Sequence, residues 1–178
     1  MTMIITPLLI RWFIHDLASP VATVMTASEL LSDVPDPEIN GLVQFGARRL
    51  GARMRMVRAA LVPGDAPIGG SALEELIRDG QPSTPIDWRR SDSEADGRIA
   101  NVIVGTVLLM ADVRRNAPLI IGEGGVHWDD GFDWPDSVAG VLAGADPVDT
   151  RGALAATLAG SARRAGLTLS VSPTGIDW

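Results

Sequence analysis

Two long runs of apolar residues, spaced alternately three and four apart, occupy the first third of the chain and restrict it to helices. In the first run Ile10, Ile14, Leu17, Val21, Val24 and Leu31 keep this spacing, with Ser28 at the remaining step. In the second, Val43, Ala47, Leu50, Met54, Val57 and Leu61 keep it. A strand would show a period of two; this period belongs to a helix packed along one seam. Pro20 lies inside the first run, where it removes the backbone bond to the Asp16 carbonyl and bends the helix. The spacing stays in phase across it, which predicts one bent helix rather than two short ones. Ser32 to Pro37 predicts a tight connection. Asp36 suits the N-cap, Pro37 the first helical position, and Glu38 the positive helix end. Pro63 and Gly64 end the second helix.

Two such helices, each of about 25–28 residues with a short link, form an antiparallel hairpin. A lone hairpin has one shared seam, and Trp12, Phe13, Met25, Leu30 and Met56 lie off or beside it. Pairing two hairpins into a four-helix bundle covers many of them, which predicts a homodimer.

Composition shifts at PGDAPIGGS (63–71), which reads as a hinge. Beyond it the pattern mixes types. Ser71 caps a short helix, ALEELIRD. Pro85 to Arg89 reads as a strand, and a longer helix runs from about Ser93 to Arg115. PLIIGEGGVHWDD reads as two short strands around a glycine turn. Asp149 caps a helix to Ala165, and 167–171 with 175–178 form a closing hairpin. The fold class is therefore α+β. A helical hairpin (1–64) precedes an α/β sandwich (70–178) with its helices packed on one sheet.

The 178 residues carry a net charge of −7, which argues against general nucleic-acid binding. All fifteen basic residues are arginine, so lysine chemistry is excluded: no Schiff base and no P-loop lysine. There is no cysteine, hence no disulfide, thiol nucleophile or zinc–thiolate site. The two histidines, His15 and His127, are far apart in sequence, against a histidine-rich metal site. The acids around His127 (GVHWDDGFDWPD) are clumped rather than alternating as hard-cation ligands are. The stretch reads as an exposed acidic loop with tryptophan anchors. The longest strongly apolar run, 99–111, is short of the roughly 20 residues that span a bilayer, and no targeting segment stands out. A cytoplasmic protein without membrane contact is expected.

The first helix also carries the chemistry. At 100° per residue His15 lies about 160° from Leu17, on the far side from most of the stripe. Its neighbours there are Arg11, Ala18, Ser19 and Ala22, a shallow patch that another protein can approach. Asp16 follows at once, either as an ordinary helix-surface charge or as a partner for the imidazole. Arg48, Arg49, Arg53, Arg55 and Arg58 form a basic strip on the second helix. That strip is either a solvated face or a docking surface for an acidic partner or a phosphoryl group.

These residues carry a resemblance. HDLASP followed by SELL, on the first helix of a hairpin, resembles the phosphoacceptor box of sensor histidine kinases. More closely, it is similar to bacterial histidine phosphotransferases of the ChpT type. His15, Asp16, Leu17, Ser19 and Pro20 match the first box, Glu29, Leu30 and Leu31 its end, and Arg58 falls where that family tends to have arginine. Thr26 and Ala27 stand where it usually has Asn-Gly. The resemblance implies a dimeric four-helix bundle and a degenerate kinase-like second domain. No D-x-G-x-G glycine box occurs in the chain. Asn101 fills the first asparagine position of a kinase nucleotide helix, but Gly105 stands at the second. An ATP-dependent kinase is therefore not expected.

The function implied is histidine phosphotransfer in a two-component phosphorelay, with His15 as phosphoacceptor. Phosphate would come from the receiver domain of a hybrid histidine kinase and pass to response regulators. Imidazole attacks in its neutral form, and a free imidazole is mostly neutral near pH 7. Asp16 would orient the ring or accept its proton. Arg11, Ala18, Ser19, Ala22 and Arg58 would meet the partner. The chain itself would bind no cofactor and no metal, magnesium being held by the partner receiver. The alternative of another class is a non-catalytic dimeric adaptor that binds receiver or kinase domains.

Overall fold

The computed structural model of the chain describes residues 2–31, 36–91 and 93–178, with residues 2–4 described by their backbone alone. Most of the expected tight connection, residues 32–35, lies outside the described residues. The first helix, α1 (Thr2–Glu29), runs unbroken through Pro7 and Pro20. The second, α2 (Pro37–Leu61), starts as its sequence dictates: the Asp36 carboxylate accepts from the amides of Glu38 and Ile39, and Pro37 begins the helix. The two run antiparallel, with Asp16 beside Arg53 and Val24 beside Gly46. A Cβ on Gly46 would come within 3.0 Å of Val24 Cγ2, so glycine here lets the helices approach closely.

Beyond the hairpin come α3 (Gly70–Gly80), β1 (Ile86–Trp88), α4 (Gly97–Val113), β2 (Leu119–Ile121) and β3 (Gly125–His127). Then follow α5 (Asp136–Leu142), α6 (Thr150–Ala165), β4 (Ser170–Ser172) and β5 (Gly175–Asp177). The strands form one mixed sheet in the order β1-β2-β3-β5-β4, parallel between β1 and β2 and antiparallel elsewhere. α4 is the crossover between the parallel pair, the connection such a pair requires. It is buried nearly all round: Val102, Ile103, Val104, Val107, Leu109 and Met110 are fully covered. Each such side chain contributes about 1.5–3 kcal/mol on burial. α4 packs against α2, α6 and β3, so it is the common core of the molecule.

Several expectations are corrected. Ser71 lies in the first turn of α3 and does not cap it; Gly69 occupies that position with no side-chain bond. α4 starts at Gly97 rather than near Ser93, because Ala95 pairs with Ile68 as an isolated bridge and Asp96 caps the helix by accepting from Arg98. α5 was not expected.

The packing of the hairpin also differs. Trp12 and Met56 are buried within the chain itself, in the same hydrophobic cluster as α3, α4 and α6, and need no second copy to cover them. Met56, Val57 and Ala60 seat α2 in that cluster, so PGDAPIGGS joins two packed parts. Met25 and Leu30 are left open as expected, and so are members of the seam itself: Ile10, Ile14 and Val21 are exposed. By length and composition alone, Ile5–Glu29 is also apolar enough to cross a membrane, at a mean hydropathy of 1.2. This stretch passes the length test that the run at 99–111 does not.

Candidate functional site

His15 sits midway along α1, exposed, and makes no hydrogen bond among the described residues. Trp12 and Asp16, four residues apart, share the inner face; His15 sits about 60° from Trp12 and about 100° from Asp16, at the edge of that face and open to solvent. Arg11, Ala18, Ser19 and Ala22 are all exposed on the same side. The imidazole lies at the junction of two grooves that open between α1 and the α/β part. One, of about 460 Å³, is lined by Leu8, Arg11 and Trp12 of α1 and by Arg115, Val148 and Arg151 opposite. The other, of about 290 Å³, is lined by Asp16, Ser19, Arg53, Ser83, Arg115 and Asn116. His15 and Asp112 border both.

Two ion pairs fix the walls. Asp16 is held by both arms of Arg53: Nε donates to Oδ2 at 2.8 Å and Nη2 to Oδ1 at 2.6 Å. The third nitrogen of that guanidinium, Nη1, donates to the Gly80 carbonyl at 3.1 Å, which ties α1, α2 and the end of α3 together. Gly80 is required there, since a Cβ would stand 2.5 Å from Met56 Cβ. Asp112, near the end of α4, accepts from Trp12 Nε1 at 3.1 Å and from Arg151 Nε at 3.0 Å. Its own carbonyl accepts from Arg151 Nη2 at 3.1 Å. This joins α1, α4 and α6 one turn below His15.

Asp16 is engaged by Arg53 rather than by His15. Adjacent helix residues diverge by about 100°, and Asp16 points inward to a guanidinium that satisfies both of its oxygens. Arg58 is not brought to His15 either. It lines a separate apolar groove of about 500 Å³ with Leu9, Ile10, Phe13, Met54 and Leu61. The residues that sequence reasoning missed are Asp112, Arg115 and Arg151. They are remote in sequence, and no local pattern marks them. Arg53 carried a signal in the basic strip of α2, though nothing singled it out from its neighbours.

Asn101, the residue at the kinase-like asparagine position, is buried, and its side-chain amide donates to the carbonyls of Ala59 and Ala60 at 2.6 and 2.9 Å. It satisfies carbonyls that the end of α2 leaves unpaired. His127 lies in β3, and its Nε2 is 2.8 Å from Asp177 Oδ1 on the neighbouring β5. Of the acids that follow it, Asp130 pairs with Arg114, which also lies over the rings of Trp128 and Phe132. Trp128 packs against Phe132 and Trp134, with ring centroids 5.1 and 4.9 Å away. Among the described residues no three acidic or histidine side chains converge as metal ligands.

No protein-family model matches the chain. No curated protein matches it in sequence. Among solved structures, it is similar to a bacterial phosphotransferase determined at 1.7 Å, with a TM-score of 0.74. The match covers 99% of this chain and 95% of that one, at 17% sequence identity. The likeness is one of fold: the hairpin and the α/β part recur together, in the same arrangement, over nearly the whole length.

Proposed function

We propose that the chain is a histidine phosphotransferase of a two-component phosphorelay. The observation that carries this reading is an exposed, unbonded histidine on a hairpin helix, flanked by small residues, in a chain with the fold of a bacterial phosphotransferase. In this reading one ring nitrogen of neutral His15 attacks the phosphorus of an aspartyl phosphate on a receiver domain. The N–P bond forms as the P–O bond to the acyl oxygen breaks, and the receiver's aspartate leaves as a carboxylate. The proton on the other ring nitrogen stays on the phosphorylated ring or passes to solvent. Reversal onto the aspartate of a response regulator completes the relay. The chain's part is to position the nucleophile and stabilise charge, the main demands of phosphoryl transfer. Magnesium is supplied by the receiver.

Asp16 serves here by orientation. Held by Arg53, it pins the α1 turn that presents His15. Arg11, Ala18, Ser19 and Ala22 form the surface a receiver meets, and Arg58 lies outside it. Ile10, Ile14, Val21 and Met25 face a second copy of the chain in a four-helix bundle, together with the groove lined by Phe13, Met54 and Leu61. The dimer works in the cytoplasm, its stripe covered by protein rather than lipid.

Mixing the full chain with a radiolabelled, phosphorylated receiver domain tests the reading. Acid-labile label should move to the wild type and not to His15→Ala. Complex formation without any transfer would favour the non-catalytic adaptor, and label taken from ATP alone would favour a kinase.

A further inference from the structure

We infer that Arg115, from the end of α4, is a phosphoryl-binding residue of the His15 site; the inference rests on the phosphotransfer reading and extends it to the second part of the chain. Arg115 lines both grooves that meet at His15. It is exposed and takes part in no hydrogen bond or ion pair among the described residues. The arginines that line the cleft from α2 and α6 are engaged: Arg53 holds Asp16, and Arg151 holds Asp112. An incoming anion therefore meets Arg115 with its charge uncompensated, joined from α1 only by Arg11.

The cleft differs in sign from the rest of the molecule. Four arginines (11, 53, 115 and 151) face three aspartates (16, 112 and 149), in a chain whose net charge is −7. The backbone carries Arg115 at the edge of the cleft. α4 ends at Val113, and Asn116 takes a left-handed conformation (φ 61°), which turns the chain sharply beside the cleft. A planar guanidinium suits a phosphoryl group because it donates two parallel hydrogen bonds to two of its oxygens. A cation near a helix C-terminus also favours the helix dipole. That role alone would affect stability and leave anion binding unchanged.

The test uses the full chain and inorganic phosphate, at constant ionic strength, with nuclear magnetic resonance at the His15 ring. Phosphate should shift the wild-type resonances saturably. Arg115→Ala should weaken binding by about ten-fold or more, with Arg115→Lys intermediate. Wild-type shifts no larger than those produced by chloride, or an unchanged titration of Arg115→Ala, would overturn the inference. A second arm measures the rate of His15 labelling from phosphoramidate and from a phosphorylated receiver. Both should slow in Arg115→Ala. Slowing with the receiver alone would make Arg115 a docking residue and overturn the assignment. If His15 takes no label from any donor while phosphate binding still depends on Arg115, the relay reading falls and the anion site stands.

Discussion

Arg53 grips Asp16 through two parallel hydrogen bonds, 2.8 and 2.6 Å long, one residue away from the exposed His15. The pair is 37 residues apart in sequence, joins the two helices of the hairpin, and reaches α3 through the Gly80 carbonyl. Its side chains keep only 15% and 16% of their exposure, so the pair falls between surface and buried cases. Arg53→Ala should lower stability by about 2 kcal/mol, between the about 1 kcal/mol of exposed pairs and the 3–5 of buried ones. Urea denaturation checks this. The double variant with Asp16→Ala should lose less than the sum of the single losses.

Asn101 offers a contrast, a residue in a kinase-like position with a purely structural partner. Asn101→Ala should cost about 1–3 kcal/mol, because the Ala59 and Ala60 carbonyls lose their donor in a buried site. Its phosphate acceptance should match the wild type once both are compared below their unfolding temperatures. Loss of acceptance in a fully folded Asn101→Ala would show that this amide has a role at the site.

The expected dimer gives a prediction with little effect on the protomer. Ile14 is 64% exposed on the open stripe of α1. Ile14→Glu should leave the protomer fold intact, within about 0.5 kcal/mol as for ordinary surface changes. The mass measured by light scattering should fall from dimer to monomer. A wild type already monomeric at micromolar concentration would contradict the four-helix bundle.

A further prediction concerns acid. The Arg114 side chain, hydrogen-bonded to Asp130, holds that carboxyl below the usual carboxylate range. The Ser91 backbone amide, followed by the Ser91 side chain and Arg90, does the same for Glu123. Groups depressed on folding stabilise the native state above their ordinary values and lose that contribution as pH falls through the depressed ones. Unfolding monitored from pH 7 to 3 should therefore steepen below about pH 4. Asp130→Asn should flatten part of that slope. An identical slope in the variant would show that the pair does not act on stability.

Much of the hairpin could be read from the chain because helical periodicity is local. The Asp36 cap, the start at Pro37 and the end at Leu61 all follow from neighbouring residues. Which face meets which surface could not be read this way. The seam spacing identifies Ile10, Ile14 and Val21 as packed, yet they are open, while Trp12 and Met56 sink into the α/β part. Periodicity marks an apolar face without naming what covers it. The site shows the same division. His15 and its small neighbours lie together on one helix and can be found from spacing. Arg53, Asp112, Arg115 and Arg151 reach the cleft from three other elements, and only folding brings them together. α5 escaped because seven residues interrupted by Gly140 leave too little pattern to recognise.

The most direct test of the central claim is to find where the phosphate is bonded. After incubation with a phosphorylated receiver domain, the full chain should show a phosphorus resonance typical of an N–P bond. It should vanish at acid pH and survive alkali, and peptide mapping should place it on His15 alone. Its absence from the wild type under conditions where the receiver loses its phosphate to a known acceptor would contradict the account. Its persistence in His15→Ala would do the same.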